Sequence, residues 1–224
     1  MAVFNHVQSV EENGFAVLPR CLSAQVMEDL CSHLHSTRHA QRNLLDVPVV
    51  RELAVSETVK QLVVTVLGKE SFAVRGILFN KTPNSNWKVV WHQDRTIAVR
   101  QRKNVALFGP WSIKAGIPHV QPPASVMAEM LSVRLHFDES HADNGPLRVI
   151  PGSHQSGCLS AAEVSIWAER PSVICTVPKG GAILMRPLLV HASSSCSKPE
   201  ARRVIHLEFA AFDLPGGLEW RDRV

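Results

Sequence analysis

The sequence predicts a mainly β fold, a sandwich or jelly roll, with N-terminal helices packed on one sheet. From Phe72 onward the chain breaks into short apolar runs separated by Pro, Gly, Asn and Ser, the pattern of many short strands. Ahead of Phe72, apolar residues recur at helical spacing, which suggests an α layer on one face of a sheet. At 224 residues the chain suits one domain with a sizeable core.

The elements follow in order. Val7 to Asn13 reads as a short helix stopped by Gly14, and Phe15–Leu18 as a strand ended by Pro19. Ser23 can cap a helix running to about Ser36, with Val26, Met27, Leu30 and Leu34 on one side. Arg38 to Val50 reads as irregular. A further helix runs from Ser56 to Gly68 over a stripe of Val59, Leu62, Val63 and Val66. Strands are expected over Phe72–Lys81, Lys88–His92, Ser132–Asp138, Leu147–Ile150, Ser172–Val177, Ala182–Met185 and Arg203–Phe212. Asn144-Gly145 reads as a hairpin turn, because both central residues tolerate positive φ. Lys179-Gly180-Gly181 reads as another tight turn. Arg95 to Ala124, punctuated by Gly and Pro, reads as a lid-like loop. The expected organisation is a single domain over 1–224, with helical support at 1–70, a β-barrel core at 71–212 and the lid at 95–124.

Composition excludes several classes. The formal net charge of +4 is mild and no block of like charge stands out, so nucleic acid is not an expected partner. No apolar run nears a membrane span. The first residues lack the basic-then-apolar pattern of a signal peptide, and the cytoplasm is the expected location. Five cysteines, an odd number without C-x-x-C, suggest free thiols rather than a disulfide framework. Oligomeric state is not readable.

The chemistry centres on Trp91-His92-Gln93-Asp94. On a strand end, His92 and Asp94 share one face, as a chelating pair must. Two imidazoles and a carboxylate on one face of an octahedral ion leave three positions open, the arrangement of non-haem Fe(II) oxygenases. The pair alone does not decide, because His136-Phe137-Asp138, His141-Ala142-Asp143 and His206-Leu207-Glu208 compete. Context separates them. Asn80-Lys81-Thr82-Pro83 precedes His92. Asn144-Gly145-Pro146-Leu147 and Pro151-Gly152-Ser153-His154 follow, then His191, with Arg202 eleven residues later.

In this order the motifs resemble the phytanoyl-CoA dioxygenase family, Fe(II)/2-oxoglutarate-dependent oxygenases that include ectoine hydroxylase, over roughly residues 10 to 212. The resemblance implies a double-stranded β-helix. It implies that His92, Asp94 and His191 hold Fe(II), that Arg202 holds a carboxylate of 2-oxoglutarate through a bidentate fork, and that Ser193 and Lys81 assist. His191 would be delivered by an apolar strand over 186–190. Arg203 competes with Arg202 but points to the opposite face. The implied reaction uses O2 to hydroxylate a small molecule, releasing succinate and CO2. Arg134, where many relatives carry an aromatic residue, is a substrate-side candidate, or a partner of Asp138. Trp111, His119 and Gln121 are specificity candidates in the lid. The rival readings are a cupin-like metal enzyme without 2-oxoglutarate and a non-catalytic ligand-binding barrel.

Overall fold

The computed structural model describes residues 2–34, 40–82, 87–196 and 202–224. Ser36, the turn at Pro83–Ser85 and the end of the loop ahead of Arg202 lie outside the described residues.

Four α-helices and two short strands form the N-terminal part. Helix α1 (Ala2–Asn13) begins earlier than its apolar pattern suggests and leads into β1 (Phe15–Leu18). Ser23 caps α2 (Ala24–His33) by accepting from the Val26 N–H, and Met27 and Leu30 are buried. The stretch expected to be irregular holds a short strand, β2 (Ala40–Gln41), a 3-10 turn and α3 (Pro48–Val55). Pro48 starts α3, its fixed φ and missing N–H costing nothing in a first turn. Ser56 ends α3 and caps α4 (Glu57–Leu67), its hydroxyl accepting from the Val59 N–H.

The barrel then builds from β3 (Phe72–Lys81), β4 (Val89–His92), β8 (Leu131–His136), β9 (Leu147–Val149), β10 (Val173–Cys175), β11 (Ala182–Met185), β12 (His191–Ser193) and β13 (Arg202–Ala210). Among the described residues the major sheet runs β1-β11-β8-β13-β3-β2 and the minor sheet β10-β9-β12-β4. Every pairing within both is antiparallel. This is the double-stranded β-helix, with the N-terminal helices on the outer face of the major sheet. Leu30, Leu44, Val50, Val59 and Val63 pack there against Leu78, Val133, Leu135, Ile205 and Leu207.

Alternation on the strands puts the other residues of the major sheet inside the barrel. Directly paired residues share a face. Arg202, Val204, His206 and Glu208 of β13 stand beside Lys81, Phe79, Ile77 and Arg75 of β3. His206 also stands beside Arg134 of β8. The barrel interior therefore carries a row of ionisable groups.

Three expectations are corrected. Segment 95–124 is not an open loop. It contains β5 (Ile97–Ala98), β6 (Trp111–Lys114) and β7 (Ile117–Val120), a three-stranded sheet, then α5 (Ala124–Ala128). Its Ile97, Val99, Val120 and Trp111 pack with Leu214, Leu218 and Trp220. The β6–β7 hairpin turns at Ala115-Gly116, where both φ values are positive, at 51° and 78°, as a two-residue turn demands. Asn144-Gly145 is not a hairpin tip, because β8 and β9 lie in different sheets. It closes a 3-10 turn over Ala142–Asn144, with the Asn144 carbonyl oxygen of the side chain accepting from the His141 N–H. Residues 186–190 form a buried turn rather than a strand, closed by Leu189 N–H to the Arg186 carbonyl, 3.0 Å. Helix α6 (Ala161–Trp167) was not anticipated, although Ser160 and Glu163 form a reciprocal capping box at its start.

All five cysteines are free thiols. Among the described residues no helix is long and apolar enough to cross a membrane.

Candidate metal centre

The triad meets because β4 and β12 are antiparallel neighbours with His92 directly opposite His191. Asp94 follows His92 by two residues, and its N–H donates to the Pro187 carbonyl at 3.0 Å, tying it to the turn that leads to His191. The ligand atoms of His92, Asp94 and His191 all lie within 4.8 Å of one another. The Nε2 atoms stand 3.9 Å (His92) and 3.7 Å (His191) from the two Asp94 carboxylate oxygens. These distances are too long for hydrogen bonds and leave room for an ion among the three groups.

Each imidazole is set in one tautomer. The Nδ1–H of His92 donates to the Val90 carbonyl and that of His191 to the Leu189 carbonyl, both at 2.8 Å. A carbonyl only accepts, so the proton sits on Nδ1 and the Nε2 lone pair faces Asp94. Burial lowers the His191 pKa to about 4, outweighing the attraction of Asp94, so the ring is neutral at neutral pH. Burial alone would raise the Asp94 carboxyl, but the His191, His206 and His92 rings and Arg75 hold it below its ordinary range. Two imidazoles with Nε2 turned toward one carboxylate form a donor set that fits Fe(II).

The competing pairs are occupied elsewhere. Asp138 takes a bidentate grip from Arg203, 2.9 and 2.8 Å, and accepts the Arg203 backbone N–H. That contact leaves Arg202 as the arginine facing the barrel and rules out the pairing of Arg134 with Asp138. The His136 Nδ1 meets the Ser140 hydroxyl at 3.0 Å. His206 donates from Nε2 to Glu208, which is paired with Arg75 at 3.1 Å. His141 accepts the Asp143 N–H within its turn.

Beside the triad lies a cavity lined by Phe79, Lys81, Arg134, Ser193 and Arg202, among others. Lys81 is fully buried, donating to the Ser194 carbonyl at 2.7 Å and to the Ser193 hydroxyl at 3.4 Å. Burial and then Arg202 lower its pKa to about 8. Burial and then Arg134 lower that of Arg202 to about 10. The Nε atoms of Arg202 and Arg134 have no hydrogen-bond partner among the described residues. Arg134 donates to His206 Nδ1 at 3.3 Å and lies over the Phe79 ring, 5.2 Å from its centre. Asp94 of the triad also lines this cavity, but Lys81, Arg134 and Arg202 pair with no carboxylate among the described residues, and three such buried cations suit the cavity to an anion.

The other substrate candidates do not line that cavity. Trp111 packs in the secondary core, with Arg102 over its ring at 5.4 Å. His119 is buried, bonded at 3.0 Å to the Ile117 carbonyl, with a pKa lowered to about 4 by burial. Gln121 is half-buried beside Pro110, to whose carbonyl its N–H donates at 3.2 Å.

Sequence reading missed the residues that hold the triad. Gln93 is buried between two ligand candidates. Its amide donates to the Gly157 and Leu188 carbonyls and accepts the Leu159 N–H, at 2.8, 2.7 and 2.8 Å. Ser153 accepts the Val190 N–H at 2.8 Å, next to His191. Gly145 lets the chain pass closely: a Cβ there would sit 2.4 Å from the Ser194 carbonyl oxygen and 3.1 Å from Lys81 Nζ. Its place in a motif was the signal for it.

A double-stranded β-helix with two histidines and a carboxylate at one end, beside a cationic cavity, defines the non-haem iron oxygenase class. The phytanoyl-CoA dioxygenase family matches residues 35–204, most of the chain, and the protein belongs to that family. It is a 2-oxoglutarate-dependent non-haem iron dioxygenase, with iron as its metal and 2-oxoglutarate and O2 as cosubstrates. Three solved structures illustrate the fold. EctD from S. alaskensis is 20% identical, with 92% of this chain and 76% of that one covered at a TM-score of 0.69. The non-haem α-ketoglutarate-dependent carbocyclase SnoK from nogalamycin biosynthesis is 14% identical, with coverage of 98% and 87% and a TM-score of 0.72. HygX from Streptomyces hygroscopicus, solved with nickel and 2-oxoglutarate, is 15% identical, with coverage of 93% and 87% and a TM-score of 0.67. Among curated protein sequences none matches the chain.

Proposed function

We propose that this enzyme hydroxylates a small molecule, consuming O2 and 2-oxoglutarate and releasing succinate and CO2. In this reading His92 and His191 ligate Fe(II) through Nε2 and Asp94 through its carboxylate. Arg202 grips the distal carboxylate of 2-oxoglutarate, with Ser193 and Lys81 beside it. The observation that carries the reading is a His-Asp-His triad that opens onto one cavity with three buried cations, none of them paired with a carboxylate among the described residues. When bound, the iron supplies activation of O2 and oxidation of a C–H bond, which no side chain can perform.

The chain's own part is orientation and exclusion. The backbone bonds at Nδ1 hold both rings with Nε2 turned to Asp94, Gln93 ties the His92 segment to the turn before His191, and Ser153 fixes Val190 beside His191. Arg202 and Lys81 replace the water that a dicarboxylate loses on entering. His191 is 5% exposed in its side chain, whereas His92 and Asp94 are 37% and 31% exposed. The open flank at His92 and Asp94 is the side from which substrate approaches.

The test is succinate formation by iron-loaded protein in air with labelled 2-oxoglutarate, across a panel of small molecules. The expected result is slow release that depends on both iron and 2-oxoglutarate and is stimulated by a subset of compounds, each gaining one oxygen atom by mass. Iron-dependent oxidation of a compound with no consumption of 2-oxoglutarate would replace this reading with the cupin-like one.

A further inference from the structure

Three cations, Arg42, Arg75 and Lys114, lie within electrostatic reach of Asp94. Arg75 and Lys114 converge on Thr96, two residues after Asp94. Arg75 donates to the Thr96 carbonyl at 3.2 Å, and Lys114 donates to the Thr96 hydroxyl at 2.8 Å. Arg42 follows β2, whose register places Gln41 opposite Leu78. Arg42 is the first residue past that strand and is exposed. Its neighbour Asn43 donates to the carbonyl of Ala115, the residue after Lys114, at 3.4 Å. Arg42 and Lys114 thus flank one contact between the β2 segment and the β6–β7 hairpin.

The carboxylates near this group are committed. Glu208 is held by Arg75 and His206, and Asp94 belongs to the metal site. Among the described residues Arg42 makes no hydrogen bond or ion pair, and Lys114 bonds only the neutral Thr96 hydroxyl. Both groups have lowered pKa values, through burial first and then repulsion from Arg75. Like charges held near one another, with Arg42 exposed and Lys114 and Arg75 half-buried, repel, and an anion relieves that repulsion.

We propose that Arg42 and Lys114, with Arg75 behind them, form an anion-binding rim at the edge of the metal face, and that the substrate is oriented by a carboxylate or phosphate group seated there. The inference rests on the iron and 2-oxoglutarate reading above. It is separate from the cosubstrate cavity, whose cations are Lys81, Arg134 and Arg202. A substrate anchored at its anionic end presents a neighbouring C–H bond to the metal in a fixed direction, and neutral analogues lose that anchor.

The rim is tested with anions alone. Protein loaded with Mn(II) and held with 2-oxoglutarate just above saturation is titrated with inorganic phosphate, followed by 31P relaxation, and with 13C-labelled acetate, followed by 13C relaxation. Paramagnetic relaxation falls with the sixth power of distance, so only an anion near the metal responds. Saturable enhancement is expected for at least one anion in the wild type. Its apparent affinity should fall about tenfold in Arg42→Gln/Lys114→Met, as removal of charge-assisted contacts implies, and stay unchanged in the remote control Arg100→Gln. Each single variant is run as well, so that a poorly folded double variant does not remove the test. The anion bound more tightly names the substrate's group. No enhancement, or equal enhancement in wild type and variants, overturns the rim while leaving the enzyme reading intact. Failure of the protein to bind 2-oxoglutarate at all overturns the enzyme reading and the rim with it.

Discussion

Asp94→Ala is expected to abolish turnover and to weaken Fe(II) binding at least about a hundredfold, beyond the ten- to hundred-fold typical of a supporting residue. Asp94 supplies the only negative charge in the triad, and its depressed pKa keeps it ionised throughout the physiological range. Nothing nearby can replace it. Glu208 is locked between Arg75 and His206, and Asp138 is gripped by Arg203. The fold should survive, because the Asp94 side chain is about a third exposed and its N–H bond to Pro187 is a backbone contact. Asp94→Asn should fall between, keeping a donor oxygen but losing the charge. The check is metal content and iron affinity by anaerobic calorimetry, with circular dichroism to confirm folding. Stoichiometric tight iron in Asp94→Ala would mean that the metal sits elsewhere.

Arg202→Ala is expected to raise the KM for 2-oxoglutarate by about thirtyfold or more, the cost of about 2–5 kcal/mol for removing one partner of a buried charge pair. Iron affinity should stay as in the wild type, which separates the cosubstrate role from the metal role. Arg202→Lys should not restore binding, because an ammonium cannot reproduce a bidentate fork. Arg203→Ala, which removes the grip on Asp138 on the other face of the strand, should cost stability and leave the KM unchanged. A normal KM in Arg202→Ala, or an equal rise in Arg203→Ala, would mean that the wrong arginine has been assigned.

Much of this site was legible because it is built from short motifs whose spacing is imposed by local geometry. His92 and Asp94 share a face because they are two apart at a strand end. Strands Phe72–Lys81 and Ala182–Met185 were readable to the residue, being apolar runs cut off by turn residues. What was not legible depends on partners distant in sequence. The short strands of 95–124 gain their register from one another and from packing against Leu218 and Trp220, and no local pattern marks them. Helix α3 was lost because Ser56 is both its end and the next helix's cap, so the stop of one helix reads only as the start of the other. The family spacing selects Arg202 over Arg203, but nothing in the sequence shows that Asp138 holds Arg203, nor that Arg75 and Lys114, far apart in the chain, meet at Thr96. Gln93, between two ligand candidates, has no role legible in the sequence and is a clamp.

The central claim is that one iron held by His92, Asp94 and His191 chelates a 2-oxoglutarate anchored by Arg202. The most direct measurement is anaerobic addition of Fe(II) and then 2-oxoglutarate, watching for the weak visible charge-transfer absorption of the chelate. Wild type should develop the band at one equivalent of iron. His191→Ala should fail to develop it, and Arg202→Ala should need far more 2-oxoglutarate. Absence of the band in wild-type protein that has bound iron would contradict the claim and leave a metal-binding barrel that does not use 2-oxoglutarate.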